Sequence, residues 1–196
     1  VGGELSPPFL LSAYWQGIFP WFSKDEPILW WCPDPRFVLF PEKLHIAKRL
    51  ARRLRKGEYR ITRNRAFALV IRSCAEVYRP GESGTWITEE MQKAYIELHE
   101  MGHAHSFEAW YEGELVGGLY GVLVGAVFCG ESMFSFRSNA SKAAFAEAAT
   151  VLFRSGVKLI DSQIYTDHLA SFGAEDIPRR RYLSLLNRYR SLSVRL

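Results

Sequence analysis

Two carboxylates and an amide are the residues of this sequence best placed to do chemistry. Residues 115–129 carry no charge, and then Glu131 appears in Gly130-Glu131-Ser132-Met133-Phe134-Ser135. Asp161 follows in similar apolar company, in Leu159-Ile160-Asp161-Ser162-Gln163. A carboxylate buried at the end of a core strand is costly unless something pairs with it. The two therefore point to a pocket; the alternative is that both are capping or turn residues. Residues two apart in a strand point to the same side, which sets Asp161 beside Gln163. His99, His103 and His105 have a spacing that metal ligands use. Gly102 is expected to break the helix between the first two, so the rings need not converge and no metal is expected.

The elements that must position these groups are legible in outline. Residues 1–40 are rich in Pro, Gly and Trp, which favours short strands and turns over long helices. Tyr59–Ile61 reads as a strand, and Phe67, Val70, Ile71 and Cys74 mark a helix followed by a Pro80–Gly84 loop. Thr88 is expected to cap a helix over 89–101, closed by Gly102. Ser106–Tyr111, a Glu112-Gly113 turn and Leu115–Cys129, split near Gly125, predict a three-stranded antiparallel meander. A helix from 138 or 139 to about 155 ends at Gly156, and Val157–Gln163 reads as a central strand buried on both faces. A short turn at 168–172 and a last helix opened by Pro178 complete a mixed α+β chain with a largely antiparallel sheet.

The chain has 196 residues, 48% of them hydrophobic, enough for one ordinary domain with a small appendage. Three cysteines far apart give no disulfide framework, which suits a reducing, cytoplasmic setting. No signal peptide opens the sequence, and Val1 leaves room for upstream residues. The longest apolar run falls short of a membrane span, so no membrane partner is expected. Net charge is +4, and its location matters more than its size. Lys48, Arg49, Arg52, Arg53, Arg55, Lys56, Arg60, Arg63 and Arg65 are opposed within that stretch only by Glu58. Leu44, Ala47, Leu50, Ala51 and Leu54 recur among them at helical spacing, predicting an amphipathic helix over 41–56 with Pro41 in its first turn and Gly57 at its end. Such a dense basic face suits phosphate binding rather than mere solvation. A second cluster, Arg179, Arg180, Arg181, Arg188 and Arg190, lies near the C-terminus.

A set of blocks resembles one family, the bacterial leucyl/phenylalanyl-tRNA–protein transferases. They are Gly17-Ile18-Phe19-Pro20-Trp21, Trp30-Trp31 with Pro33-Asp34-Pro35-Arg36, Thr85-Trp86-Ile87 and His105-Ser106-Phe107-Glu108-Ala109-Trp110. Gly117–Val122, Gly130–Ser135, Ala140-Ser141-Lys142 and Asp161-Ser162-Gln163 with His168–Ser171 follow in the family's order. Cys32 stands where the family often shows serine, and Ser162 where cysteine is common.

The resemblance implies a small N-terminal domain, taken as 1–42, before an acetyltransferase-like (GNAT-type) catalytic domain, 43–196. It implies transfer of leucine or phenylalanine, more weakly methionine, from aminoacyl-tRNA to the α-amine of proteins that begin with Arg or Lys. The product carries an N-end-rule degradation signal, and no cofactor is needed because the ester is already activated. The implied partners are Leu-tRNA, Phe-tRNA and the acceptor proteins. By the same resemblance Asp161 and Gln163 are the catalytic pair, orienting the amine more than deprotonating it, because an ordinary Asp is a weak base toward ammonium. Glu131 suits a positive charge, either the acceptor's side chain or the donor's α-ammonium. Met133, Phe134, Phe145, Leu152 and Ile160 are candidates for the apolar donor pocket; most serve equally well as core, and for Phe145 and Leu152 core is the expected place. Trp30, Trp31 and Trp86 are candidates for an adenine platform, with one ring of the Trp30-Trp31 pair facing inward and the other outward. Two rivals remain. One is an acyl-CoA N-acetyltransferase, whose usual pyrophosphate loop is missing from this sequence; the other is a non-catalytic RNA-binding module.

Overall fold

The computed structural model describes residues 1–23, 26–77 and 85–196, so the expected Pro80–Gly84 loop lies outside the described residues. A small antiparallel pair, β1 (Phe19–Pro20) and β2 (Trp30–Trp31), follows helix α1 (Pro7–Trp15). The main sheet has seven strands. Its members are β3 (Arg36–Leu39), β4 (Arg60–Arg63), β5 (Ala104–Tyr111), β6 (Glu114–Val124), β7 (Val127–Ser135), β8 (Leu159–Gln163) and β9 (Glu175–Ile177). Their spatial order is β4-β5-β6-β7-β8-β3-β9, and among the described residues only the β7–β8 pairing is parallel.

The β5–β6–β7 meander forms, with Glu112 and Gly113 at positive φ in its first turn, but its third strand runs past the expected end at Cys129 to Ser135, so Glu131 lies within it. β8 is buried at all five positions, between β7 and β3. β3, which the sequence reading places before a boundary at 42, is an interior strand of this sheet.

Helices cover both faces. On one face α1, α3 (Phe67–Glu76), α4 (Glu89–Glu100) and α7 (Arg179–Tyr189) bury Leu10, Tyr14, Val70, Tyr95 and Tyr182. On the other lie α2 (Lys48–Arg55), α5 (Ala140–Arg154) and the single turn α6 (Asp167–Ala170). α5 buries a row of alanines and sits close against β6; a Cβ on Gly117 would come within 2.6 Å of the Ala140 Cβ. Thr88 caps α4 as expected, its hydroxyl accepting from the Met91 N–H.

Two expectations need correction. The N-terminal stretch holds the nine-residue helix α1, because Pro7 and Pro8 sit in its first turn, where their missing N–H groups cost nothing. The basic helix is also shorter than 41–56. Pro41–Lys43 form a 3₁₀ turn, and Leu44 and Ala47 then take extended ψ values of 116° and 138°. Between them the His45 N–H donates to the Phe172 carbonyl, and α2 begins only at Lys48. That tertiary hydrogen bond interrupts a periodicity that reads as continuous.

Candidate active site

β7 and β8 pair over Val127–Leu159, Phe128–Ile160 and Cys129–Asp161, and then separate. A cavity of about 540 Å³ fills the opening. Where the strands part, the β6–β7 register slips between Tyr120–Ser132 and Gly121–Gly130, leaving Glu131 as the extra residue of a bulge. Gly121 permits it, since a Cβ there would lie 2.3 Å from the Cys129 carbonyl oxygen. The bulge turns Glu131 into the cavity beside Gln163.

Asp161 is fully buried and lies behind the cavity wall. Arg36, itself buried, donates from Nε to Oδ1 at 2.8 Å and from Nη2 to Oδ2 at 2.6 Å. The Tyr182 hydroxyl donates to Oδ2 at 2.8 Å and the Gln163 backbone N–H to Oδ1 at 3.0 Å. Four donors fill the acceptor sites of the carboxylate, so no lone pair is left to take a proton from a substrate. Its chemical capacity is to hold. The bond to the Gln163 N–H supports a left-handed backbone there, φ 62°, which costs a non-glycine residue about 1–2 kcal/mol.

That twist delivers the Gln163 side chain to the cavity. Its Nε2 donates to Glu131 Oε1 at 2.9 Å, which leaves the amide oxygen as the end that can accept from a bound amine. Glu131 Oε2 accepts from the Tyr95 hydroxyl at 3.1 Å, and Tyr95 is hydrogen-bonded in turn to Tyr14. Part of the Glu131 surface opens to the cavity, yet its carboxyl is packed like an interior group. Burial pushes it up to about 7, against the hydrogen bonds of the tyrosines and Gln163. Burial also holds both tyrosine hydroxyls well above their usual range, so they stay donors.

Met133, Phe134, Phe145, Leu152 and Ile160 all line the cavity. Phe145 and Leu152 are core residues as well, at 5% and 1% exposure, so the two roles coincide. Trp86 lines the cavity, whereas Trp30 and Trp31 do not. Trp30 turns inward onto Phe9 and donates to the Gly2 carbonyl; Trp31 lies outward against Trp21 and donates to its carbonyl. One ring faces inward and one outward, but it is Trp21, supported by Trp31, that reaches the cavity. Arg36, Tyr182, Tyr14, Tyr95 and Trp21 are the site groups that sequence reasoning missed. The signal for Arg36 was there to read: a carboxylate inside a buried strand calls for a cation, and Arg36 opens another apolar strand.

Of the basic stretch, Lys48, Arg49, Arg52, Arg55, Lys56, Arg60, Arg63 and Arg65 are charged groups outside the core, while Arg53 is partly buried and paired with Glu58 at 2.8 Å. α2 packs on α5, which also supplies Ser141, Phe145, Ala148 and Leu152 to the cavity lining, and none of the nine basic residues lines the cavity itself. The three histidines do not converge. His99 stacks on Phe67, and His105 is hydrogen-bonded to Asn64. Among the described residues no group of three or more His, Cys, Asp or Glu could hold a metal, and no helix is long and apolar enough to cross a membrane.

Comparisons with known proteins identify the family. Residues 38–187 match the family model described as leucyl/phenylalanyl-tRNA protein transferase, and residues 3–34 match that of its N-terminal domain. The leucyl/phenylalanyl-tRNA–protein transferase of Myxococcus xanthus is 57% identical over 96% of this chain and 80% of its own length. That of Escherichia coli O81 is 56% identical over 97% of this chain and 80% of its own. In fold, the chain is similar to a GCN5-related glucosamine N-acetyltransferase region of a fungal multi-domain β-N-acetylglucosaminidase. The TM-score is 0.50 at 10% identity, covering 81% of this chain and 20% of that one. The acetyltransferase-like architecture is thus shared, and the chain belongs to the leucyl/phenylalanyl-tRNA–protein transferase family.

Proposed function

We propose that this enzyme moves leucine or phenylalanine, and methionine more weakly, from aminoacyl-tRNA to the α-amine of proteins that begin with Arg or Lys, creating an N-end-rule degradation signal in the cytoplasm. One observation carries the reading. A single cavity brings Glu131 and the Gln163 amide, backed by Asp161, to the mouth of an apolar pocket shaped by Met133, Phe145, Leu152 and Ile160.

In the proposed reaction the donor side chain fills the apolar pocket, the terminal adenine rests on Trp86 and Trp21, and the tRNA phosphates lie along α2 and β4. A free α-amine has a pKa of about 7.7–8.0, so a useful fraction is neutral near pH 7. The Gln163 amide oxygen accepts one N–H of that amine and aims its lone pair at the ester carbonyl. The new C–N bond forms as the bond to the ribose 3′-oxygen breaks, and the amine's proton passes to that oxygen through the neighbouring 2′-hydroxyl. Positioning of this kind lowers a barrier by up to about 7–11 kcal/mol. Asp161 and Arg36 act by fixing Gln163. Glu131 holds positive charge on the acceptor. In this reading the small N-terminal unit ends just before Arg36, since β3 is built into the main sheet.

The test is incubation with labelled Phe-tRNA and a peptide beginning with Arg, and separately with acetyl-CoA. Label should move from tRNA to the peptide, with no acetylation. tRNA retention without product would instead support a binding module.

A further inference from the structure

None of the basic residues of the 48–65 stretch lines the cavity, so a nucleic acid that uses both must cross the ground between them. Residues 136–138, just past the end of β7, occupy that ground. On one side the Phe136 ring lies 4.9 Å from the ring of Phe134, which is buried and lines the cavity. Phe134 and Trp86 pack on the same core cluster, so Phe136 is held on the side of the sheet that carries Trp86. On the other side the Arg137 guanidinium lies over the Tyr111 ring, 3.6 Å from its centroid, and the Ser138 carbonyl accepts from the Tyr59 hydroxyl at 2.7 Å. Tyr59 precedes Arg60, and Tyr111 follows Trp110, the residue that Arg60 faces across β4 and β5. The segment thus joins the cavity wall to the first arginine of β4.

Phe136 is 57% exposed. A lone apolar ring on a surface needs no explanation, but this one is fixed against a cavity wall with a guanidinium beside it. Stacking on Tyr111 engages the face of the Arg137 guanidinium, whereas its N–H donors point outward in the plane, the geometry that phosphate oxygens take. An aromatic face next to such donors matches the two parts of one nucleotide, a base and its phosphate. Arg137 and Arg60 oppose an acceptor that begins with Arg or Lys and favour a phosphodiester chain. We propose that Phe136 is the platform for the base of the nucleotide preceding the terminal adenosine of the tRNA, with Arg137 on an adjacent phosphate. This deepens the proposed function and rests on it. Every base has a π face, so such a platform serves tRNAs without reading their sequence.

The experiment compares two donors, Phe-tRNA and 3′-O-phenylalanyl-adenosine, which lacks the preceding nucleotide, with one Arg-initiated peptide as acceptor. In Phe136→Ala the ratio of kcat/KM for Phe-tRNA to that for phenylalanyl-adenosine should fall at least about fivefold, carried by the KM for Phe-tRNA. Phe136→Tyr, which keeps the ring, should hold the ratio within about twofold of the wild type. Arg137→Ala should make the log–log salt dependence of Phe-tRNA binding shallower by about 0.7, the value for one phosphate of a single strand. A smaller fall in the alanine variant, or an equal fall in the tyrosine variant, overturns the platform. A rise in the KM for the peptide instead would give the ring to the acceptor and overturn it too, and an unchanged salt slope overturns the phosphate contact. Wild-type enzyme that transfers from neither donor overturns the proposed function itself, so the two failures are distinguishable.

Discussion

Asp161 shows how a carboxylate that looks catalytic can act at one remove. Bound by Arg36, Tyr182 and the Gln163 N–H, it has no free lone pair and fixes its neighbour. Removing it strands the buried Arg36 guanidinium. Asp161→Ala should destabilise the fold by about 3–5 kcal/mol in urea unfolding, beyond any loss of transfer. A stability change under about 1 kcal/mol would contradict the packing described. Glu131 differs because its carboxyl, lifted by burial to about 7, titrates where the enzyme works. Below that value it is neutral and attracts an ammonium poorly; above it the carboxylate forms. The pH profile of kcat/KM should therefore rise through about 7, and Glu131→Gln should remove that inflection. The same variant, tried with peptides beginning with Arg and with Ala, asks what Glu131 reads: equal losses on both would speak against a role in selecting the acceptor. Glu131, Asp161 and Gln163 were legible because charge interrupts apolar strands. Tyr14 and Tyr95 were not, since nothing local to them says which carboxylate they serve.

At the level of elements, the cavity opens where two strands part, and much of the basic stretch lies on α2, which packs on α5. Periodicity located the basic helix but overran its start, because the hydrogen bond from His45 to Phe172 joins residues far apart in sequence. The meander and the helix capped by Thr88 needed only local turn and cap chemistry and could be read directly. On α2, Arg52 and Arg55 are exposed, whereas Arg53 is tied to Glu58. Substituting Arg52 and Arg55 with Ala should weaken aminoacyl-tRNA binding and flatten its log–log salt dependence by about 0.7–0.9 for each phosphate no longer neutralised. Filter-binding titrations across salt concentrations measure both, and an unchanged slope would remove α2 from the phosphate path.

Across the whole molecule, buried titratable groups pull stability in opposite directions. Burial lowers His105 and His168 to about 4 from an unfolded value near 6.5. The unfolded chain thus binds more protons between those values, and the stability present above pH 6.5 is lost as pH falls toward 4. Glu131, raised to about 7 from 4.5, works the other way: its contribution is complete below 4.5 and is lost as pH rises through 7. Glu131→Gln removes that opposing contribution, so its Tm should fall more than that of the wild type between pH 7.5 and 5. Equal falls would show that Glu131 is not packed as described. None of these shifts could be read from sequence, where burial is only a tendency.

The proposed reaction depends on the Gln163 amide to position the attacking amine, and Gln163→Ala removes that amide. The measurement is single-turnover transfer of phenylalanine from Phe-tRNA to an Arg-initiated peptide, alongside the Kd for Phe-tRNA. The expected result is a transfer rate lowered about 100-fold or more, within the range that positioning supplies, while the Kd stays within about twofold. A transfer rate equal to that of the wild type would contradict it.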